Sequence, residues 1–229
     1  MKLQKVARQA GFTLVEIAIV LVIIGLLLVG VLQGQEMIEN TKTKSIVNDM
    51  KAIQAAYNGY VDRYKNQPGD EQLATYTARG WTSTVGGNGN GILAAPIAAT
   101  FTNAAGENQS FWQSLRASGL LSGDPTAVLT DALPKHGANG TIGVAVGVPT
   151  VYGLAGTFVC ASNLSTKQAA AIDTIIDGPL PATNIGNNVG NLRAATGAAP
   201  LAPTLAAPAG LAYNETVTAT TWTVCMKIG

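Results

Sequence analysis

The sequence predicts an α+β protein: one long N-terminal helix, membrane-spanning in its first half and amphipathic in its second, packed on a head with a small antiparallel β-sheet. Three observations carry that prediction. Residues 12–32 are an almost unbroken apolar run. Apolar residues then recur at spacings of three and four as far as residue 64. In the second half of the chain, short apolar runs alternate with clusters of Gly, Pro and Asn, as strands and turns do. The divisions this implies are 1–11, a leader; 12–32, the apolar helix; 33–65, its amphipathic continuation; and 66–229, the head.

Composition narrows the function before any motif is read. Only 12% of the 229 residues are charged and 47% are hydrophobic, with 35 Ala, 26 Gly and 24 Thr, so the chain is rich in small residues and turns. A formal net charge of +1 provides no basic field to attract nucleic acid. Two Cys and one His cannot make a Cys₂His₂ or Cys₄ zinc site within one chain. A Ser-His-Asp enzyme would have His136 as its only choice. A structural or binding protein is favoured over an enzyme.

The leader and the apolar run belong together. Lys2, Lys5 and Arg8 are accompanied by no acid, and without residues 1–11 the net charge falls to −2. Phe12 to Leu32 follows, 21 residues with Glu16 as their one charge. At 1.5 Å per residue such a helix covers about 30 Å, the hydrocarbon thickness of a bilayer. Basic residues just ahead of it stay cytoplasmic, placing everything after Gln33 on the far side. Three readings compete for the segment. A secretory signal has a shorter apolar region and a small-residue cleavage site, which G-V-L-Q-G-Q-E-M-I-E-N lacks. A plain membrane anchor leaves Glu16 in hydrocarbon, at about 2.5–3.5 kcal/mol near the bilayer centre and less towards an interface.

The third reading rests on Lys5-Val-Ala-Arg-Gln-Ala-Gly11 followed by Phe12-Thr-Leu-Val-Glu16 and an apolar helix. This resembles the N-terminus of a type IV prepilin or pseudopilin. The resemblance implies that a prepilin peptidase cuts between Gly11 and Phe12, that Phe12 becomes N-methylphenylalanine, and that Glu16 serves filament assembly. Physical chemistry is consistent with that role. Cleavage leaves a positive amine on Phe12, and the amine of an incoming subunit can pair with Glu16 of a neighbour. The pair neutralises two charges that an apolar bundle would each penalise alone.

Past the membrane segment, Ile46, Met50, Ile53, Tyr57, Tyr60, Val61 and Tyr64 form one apolar stripe, and Pro68-Gly69 ends the helix. Phe12 to Lys65 is 54 residues, about 80 Å if unbroken. Many pilins of the family carry a proline near the end of the apolar half. Gln33 stands close to that place here, and Gly25, Gly30 and Gly34 are the weak points.

Residues 66–140 read as irregular apart from a short amphipathic helix, Phe111 to Leu121, with Phe111, Trp112, Leu115 and Leu120 facing a core. The tract Gly86-Gly-Asn-Gly-Asn-Gly91 fits neither phosphate-binding glycine motif. It reads as a structural loop, with a cation site completed by remote acids such as Asp70 as the alternative. Residues 141–148 and 151–159 read as two strands joined at Pro149-Thr150, their glycines allowing the long helix to pack closely. Ser165 to Ile176 reads as a helix capped by Ser165, 178–212 as a surface loop, and Thr216 to Ile228 as a strand. The sheet is expected to have three or four strands. The order P-G-D70, G-N-G-N-G91, W112-x-x-L-x-x-x-G-L120 and A171-I-D-T-I-I-D-G-P-L-P181 resembles a group of pseudopilin-like proteins from Gram-negative bacteria.

Cys160 and Cys225 fall in separate expected strands. In an exported head they form one disulfide, with two buried thiols as the alternative. In the family a disulfide-bounded C-terminal region often forms filament surface, and residues 161–224 would be its counterpart. His136, in P-K-H-G-A-N-G, reads as a solvated turn residue. Asp173 and Asp177 read as a solvated i, i+4 pair.

The resulting expectation is a filament subunit, not an enzyme, in a pilus or a secretion pseudopilus. It implies no cofactor, a structural calcium ion having no clear motif. Its partners would be copies of itself, other pilins or pseudopilins, prepilin peptidase, an inner-membrane assembly platform and membrane lipid, with no nucleic acid. It would span the inner membrane once, N-terminus cytoplasmic and head periplasmic, before entering a periplasmic or surface filament. The alternative is a membrane-anchored periplasmic binding protein that never polymerises.

Overall fold

The computed structural model describes residues 13–104, 106–178, 190–197, 202–204 and 221–229. The chain divides into two units, one ending at Asn40 and one running from Thr41 to Gly229. A single helix, α1 (Leu14–Tyr64), begins in the first and continues into the second. It carries no proline and passes Gly25, Gly30 and Gly34 as regular helix. It ends where Lys65 adopts a left-handed φ of 58°, its N–H still bonded to the Val61 carbonyl at 2.9 Å.

In the second unit, α1 buries Thr43, Ile46, Val47, Met50, Ile53, Ala56, Tyr57 and Tyr60, the stripe that helical spacing predicts, with Val61 and Tyr64 partly covered. Its partner is an antiparallel sheet with five strands among the described residues, one more than the upper expectation. The strands are β1 (Lys135–His136), β2 (Gly140–Val151), β3 (Leu154–Leu164), β4 (Leu192–Thr196) and β5 (Trp222–Lys227), in the order β1-β2-β3-β5-β4. Side-chain alternation sorts the two faces. Ile142, Val144, Val159, Ala161, Leu192, Ala194, Val224 and Met226 join the core under α1. Ala145, Phe158, Cys160, Ala195 and Cys225 form a second cluster with Phe101, Val151 and Tyr152.

The structure corrects two local expectations about β2 and β3. The hairpin turns at Tyr152-Gly153, both at positive φ (47° and 80°), as a tight two-residue turn requires. Pro149-Thr150 lies instead inside β2, where the pairing register slips between Gly147 and Val151, the kind of irregularity that tolerates a missing N–H. Gly143 does not make room for the long helix. A Cβ there would lie 2.0 Å from the carbonyl oxygen of Thr100, so the glycine admits the 3₁₀ turn at Ile97–Ala99 and its following residue.

Further helices complete the head. α2 (Leu73–Ala78) was not foreseen. α3 (Glu107–Ala117) starts four residues before the expected Phe111, because the polar stretch Glu107 to Ser110 forms its buried first turn. α4 (Thr166–Asp177) has Ser165 as N-cap in a reciprocal box with Gln168. The supposed loop 178–212 contains β4, and of the strand expected at Thr216 to Ile228 residues 222–227 are β5. Residues 179–189, 198–201 and 205–220 lie outside the described residues. Near the end of α1, buried Glu71 accepts the Tyr60 hydroxyl at 2.8 Å and pairs with Arg79 at 2.7 Å. The Arg79 guanidinium lies 4.4 Å over the Tyr64 ring, so the chain after α1 is tied back onto its last turns.

Candidate functional site

The described start of the chain is a helix cap. The Thr13 backbone N–H donates to Glu16 Oε2 at 2.7 Å and its hydroxyl to the same oxygen at 2.8 Å, while the Glu16 N–H donates to the Thr13 hydroxyl at 3.3 Å. This is a capping box, Thr-x-x-Glu, in which each residue satisfies a backbone donor of the other. Thr13 was missed as a site residue although the signature stands in the sequence at positions 13 and 16. Every residue from Thr13 to Gln33 is exposed, Leu14 by 91%. The helix is long and apolar enough to cross a membrane. So continuous an apolar surface is stable only in lipid or against like helices. Gly11 and Phe12, the expected cleavage and methylation positions, lie outside the described residues.

Cys160 and Cys225 form a disulfide. They face each other directly in the register of β3 and β5, with Cα atoms 4.0 Å apart and both side chains fully buried. The stretch between them is more than surface: Leu164, Ala169, Ile172, Leu192 and Trp222 belong to the main core.

The glycine tract is organised by buried carboxylates. Asp70 Oδ1 accepts the N–H groups of Gly89 and Asn90, both at 3.1 Å, and Oδ2 that of Gly91 at 2.7 Å. Glu107 accepts the N–H groups of Asn88 and Ala94, and Gln67 Oε1 that of Leu93 at 3.1 Å. Gly87 is required by this packing, since a Cβ would fall 2.3 Å from the Asp70 carbonyl oxygen. The loop thus surrounds a carboxylate with backbone amides, as such concavities do for anions. Other polar residues of α3 act likewise: Gln113 accepts from Thr84 and Val85, Gln109 from Leu129, and Asn108 donates to Val144. Among the described residues no three His, Cys, Asp or Glu side chains gather into a metal-ligating group.

Two further expectations are corrected. His136 is buried in β1, its Nε2 2.9 Å from the Ser162 carbonyl and its Nδ1 accepting the Ala138 N–H at 3.3 Å. Burial lowers its pKa, the contact with Ser162 opposing. Asp173 is fully buried, while Asp177 accepts the N–H groups of Asn191 at 3.1 Å and Leu192 at 2.8 Å, fixing the start of β4. Neither carboxylate is the freely solvated group that surface spacing suggested.

Residues 6–32 match the model of the prokaryotic N-terminal methylation motif. No curated protein and no solved structure matches the chain. The matched stretch takes in the end of the leader with Arg8, the Gly11-Phe12 junction, the capping box and the exposed apolar turns of α1. The N-terminus of this α+β protein carries the type IV prepilin and pseudopilin signature.

Proposed function

We propose that the chain is a structural subunit of a type IV filament, polymerised through its N-terminal helix and serving secretion or surface adhesion and motility. The methylation motif, continuous with an apolar helical surface exposed from Thr13 to Gln33, carries this reading. Prepilin peptidase cuts between Gly11 and Phe12 and the Phe12 amine is methylated. The helix is held in the inner membrane with the basic leader cytoplasmic and the head periplasmic, until an assembly platform extracts the subunit into a helical polymer with others of its kind. Glu16 sets register by pairing with the Phe12 amine of a neighbour, and the head covers the surface. The chain supplies packing, and the chemistry of processing belongs to its partners. The likeness of the head motifs to pseudopilin-like proteins favours a secretion pseudopilus over a surface pilus.

Peptide mass spectrometry on sheared surface material and washed membranes of the native host tests this. The peptide beginning at N-methylated Phe12 is expected. Abundance in the sheared fraction makes the chain a surface pilin, and confinement to membranes favours a pseudopilin. An intact Met1 leader in both fractions overturns the reading and leaves a membrane-anchored protein that does not polymerise.

A further inference from the structure

Four acidic side chains are buried among the described residues: Asp70, Glu71, Glu107 and Asp173. The first three are held by backbone amides, a tyrosine hydroxyl or an arginine. Asp173 differs. It is 0% exposed, and neither carboxylate oxygen has a hydrogen-bond partner. One turn further along α4 stands Asp177, its carboxylate committed to the Asn191 and Leu192 N–H groups. The next residue of β4 is Arg193, the opposite charge acting on Asp173, and its Nε has no partner either. β5 also packs on α4 and carries Lys227 as its charged residue, while its Trp222 donates through Nε1 to Thr166 at 2.9 Å.

An ionised carboxylate in that position gives up its hydration with no donor in exchange, beside a second carboxylate that repels it. The neutral acid avoids both penalties. We propose that Asp173, Asp177 and Arg193 form a proton-operated latch between α4 and β4, fastened while Asp173 is protonated and loosened when it ionises. The latch lies within the stretch bounded by Cys160 and Cys225. It therefore sets how firmly that stretch is held to the sheet while the disulfide keeps its two ends in place.

The direction follows from linkage. Burial first, then Asp177, raise the Asp173 carboxyl to about 7, with Arg193 pulling the other way. An open form releases the proton near the ordinary carboxylate value of about 4. Fastening is therefore fully present below about pH 4, weakens as pH rises towards about 7, and changes little beyond.

Hydrogen–deuterium exchange of the full-length protein in detergent micelles, corrected for intrinsic exchange rates, tests the latch between pH 4.5 and 7.5. Peptides from α4 and from residues 190–197 should open at least about tenfold more readily at the higher pH. Peptides from α3 should not change, and Asp173→Asn should remove the dependence. Equal protection of α4 at both pH values overturns the proposal, as does loosening of α3 in step with α4, or an Asp173→Asn protein that keeps the wild-type dependence. Should that variant not fold, Asp177→Asn serves: it removes the repelling charge and should move the transition to lower pH, and an unmoved transition overturns the latch.

Discussion

Thr13 and Glu16 close a reciprocal pair at the head of α1, the carboxylate accepting two donors from Thr13 and the Glu16 N–H returning one to its hydroxyl. The single acid of the apolar segment thus has an intramolecular partner, which lowers the cost of keeping it there. A capping role and an assembly role for Glu16 make different demands: a cap needs an acceptor oxygen, whereas pairing with the Phe12 amine of a neighbour needs a charge.

Substitutions at the two positions separate these roles. Glu16→Ala and Glu16→Gln are both expected to insert and be cleaved yet enter filaments at least about tenfold less, because neither neutralises the amine. Thr13→Ala, which removes a cap worth about 0.5–2 kcal/mol but keeps the charge, should assemble far better. Quantifying sheared filaments beside processed subunit in membranes checks this. Near-normal filaments from Glu16→Gln would reduce Glu16 to a cap.

Asp70 organises the glycine tract through three backbone amides. Asp70→Ala leaves the Gly91 N–H without an acceptor, while the Gly89 and Asn90 N–H groups keep the Asp70 backbone carbonyl at 2.7 Å and Asn88 Oδ1 at 2.9 Å. It should lower head stability by about 2–3 kcal/mol, since bonds to charged groups are worth about 1.5–3 kcal/mol and are not additive. Asp70→Asn keeps one acceptor oxygen and should lose about half as much. Denaturant unfolding followed by tryptophan fluorescence reads this, because all three tryptophans lie in the head. A loss below about 1 kcal/mol for the alanine variant would mean the loop holds itself.

The Cys160–Cys225 bond closes a span of 65 residues across neighbouring strands. Replacing both cysteines by alanine should lower stability by about 2–5 kcal/mol without unpairing β3 and β5, whose ladder extends from Phe158 to Leu164. Unfolding curves for the oxidised protein and the double variant give the cost. Far-ultraviolet circular dichroism at native conditions should superimpose.

His136 predicts a pH effect of opposite sign to that of Asp173. Burial depresses its pKa, so below the ordinary imidazole value of about 6.5 the unfolded chain takes up a proton that the folded head refuses. Its stabilisation is present above that value and is lost as pH falls. The advantage of wild type over His136→Gln in unfolding free energy should therefore shrink between pH 7.5 and 5. An advantage constant across that range would show that the ring titrates alike in the folded and unfolded states.

What could be read from the sequence was whatever depends on neighbours along the chain. The apolar run and the stripe of α1 follow from helical periodicity, the caps at Thr13 and Ser165 from short-range spacing, and the methylation motif from contiguous residues. β4 escaped because Leu-Arg-Ala-Ala-Thr has a weak strand pattern and pairs with β5, some thirty residues away. The early start of α3 escaped because Glu107 to Ser110 looks solvent-facing until the loops it serves are in place.

His136 and Asp173 show the same division. Their residue types and local patterns are those of surface positions, and only the closure of β1 on β2, and of α4 on β4 and β5, removes them from water. The sequence by itself determined the membrane-compatible helix, its processing signature and the α+β class, because these rest on local hydrophobicity and covalent order. The tertiary structure alone decided which polar groups are buried, which backbone amides they satisfy and where protons are held. Desolvation and hydrogen bonding at those places depend on segments that meet only when the chain is folded.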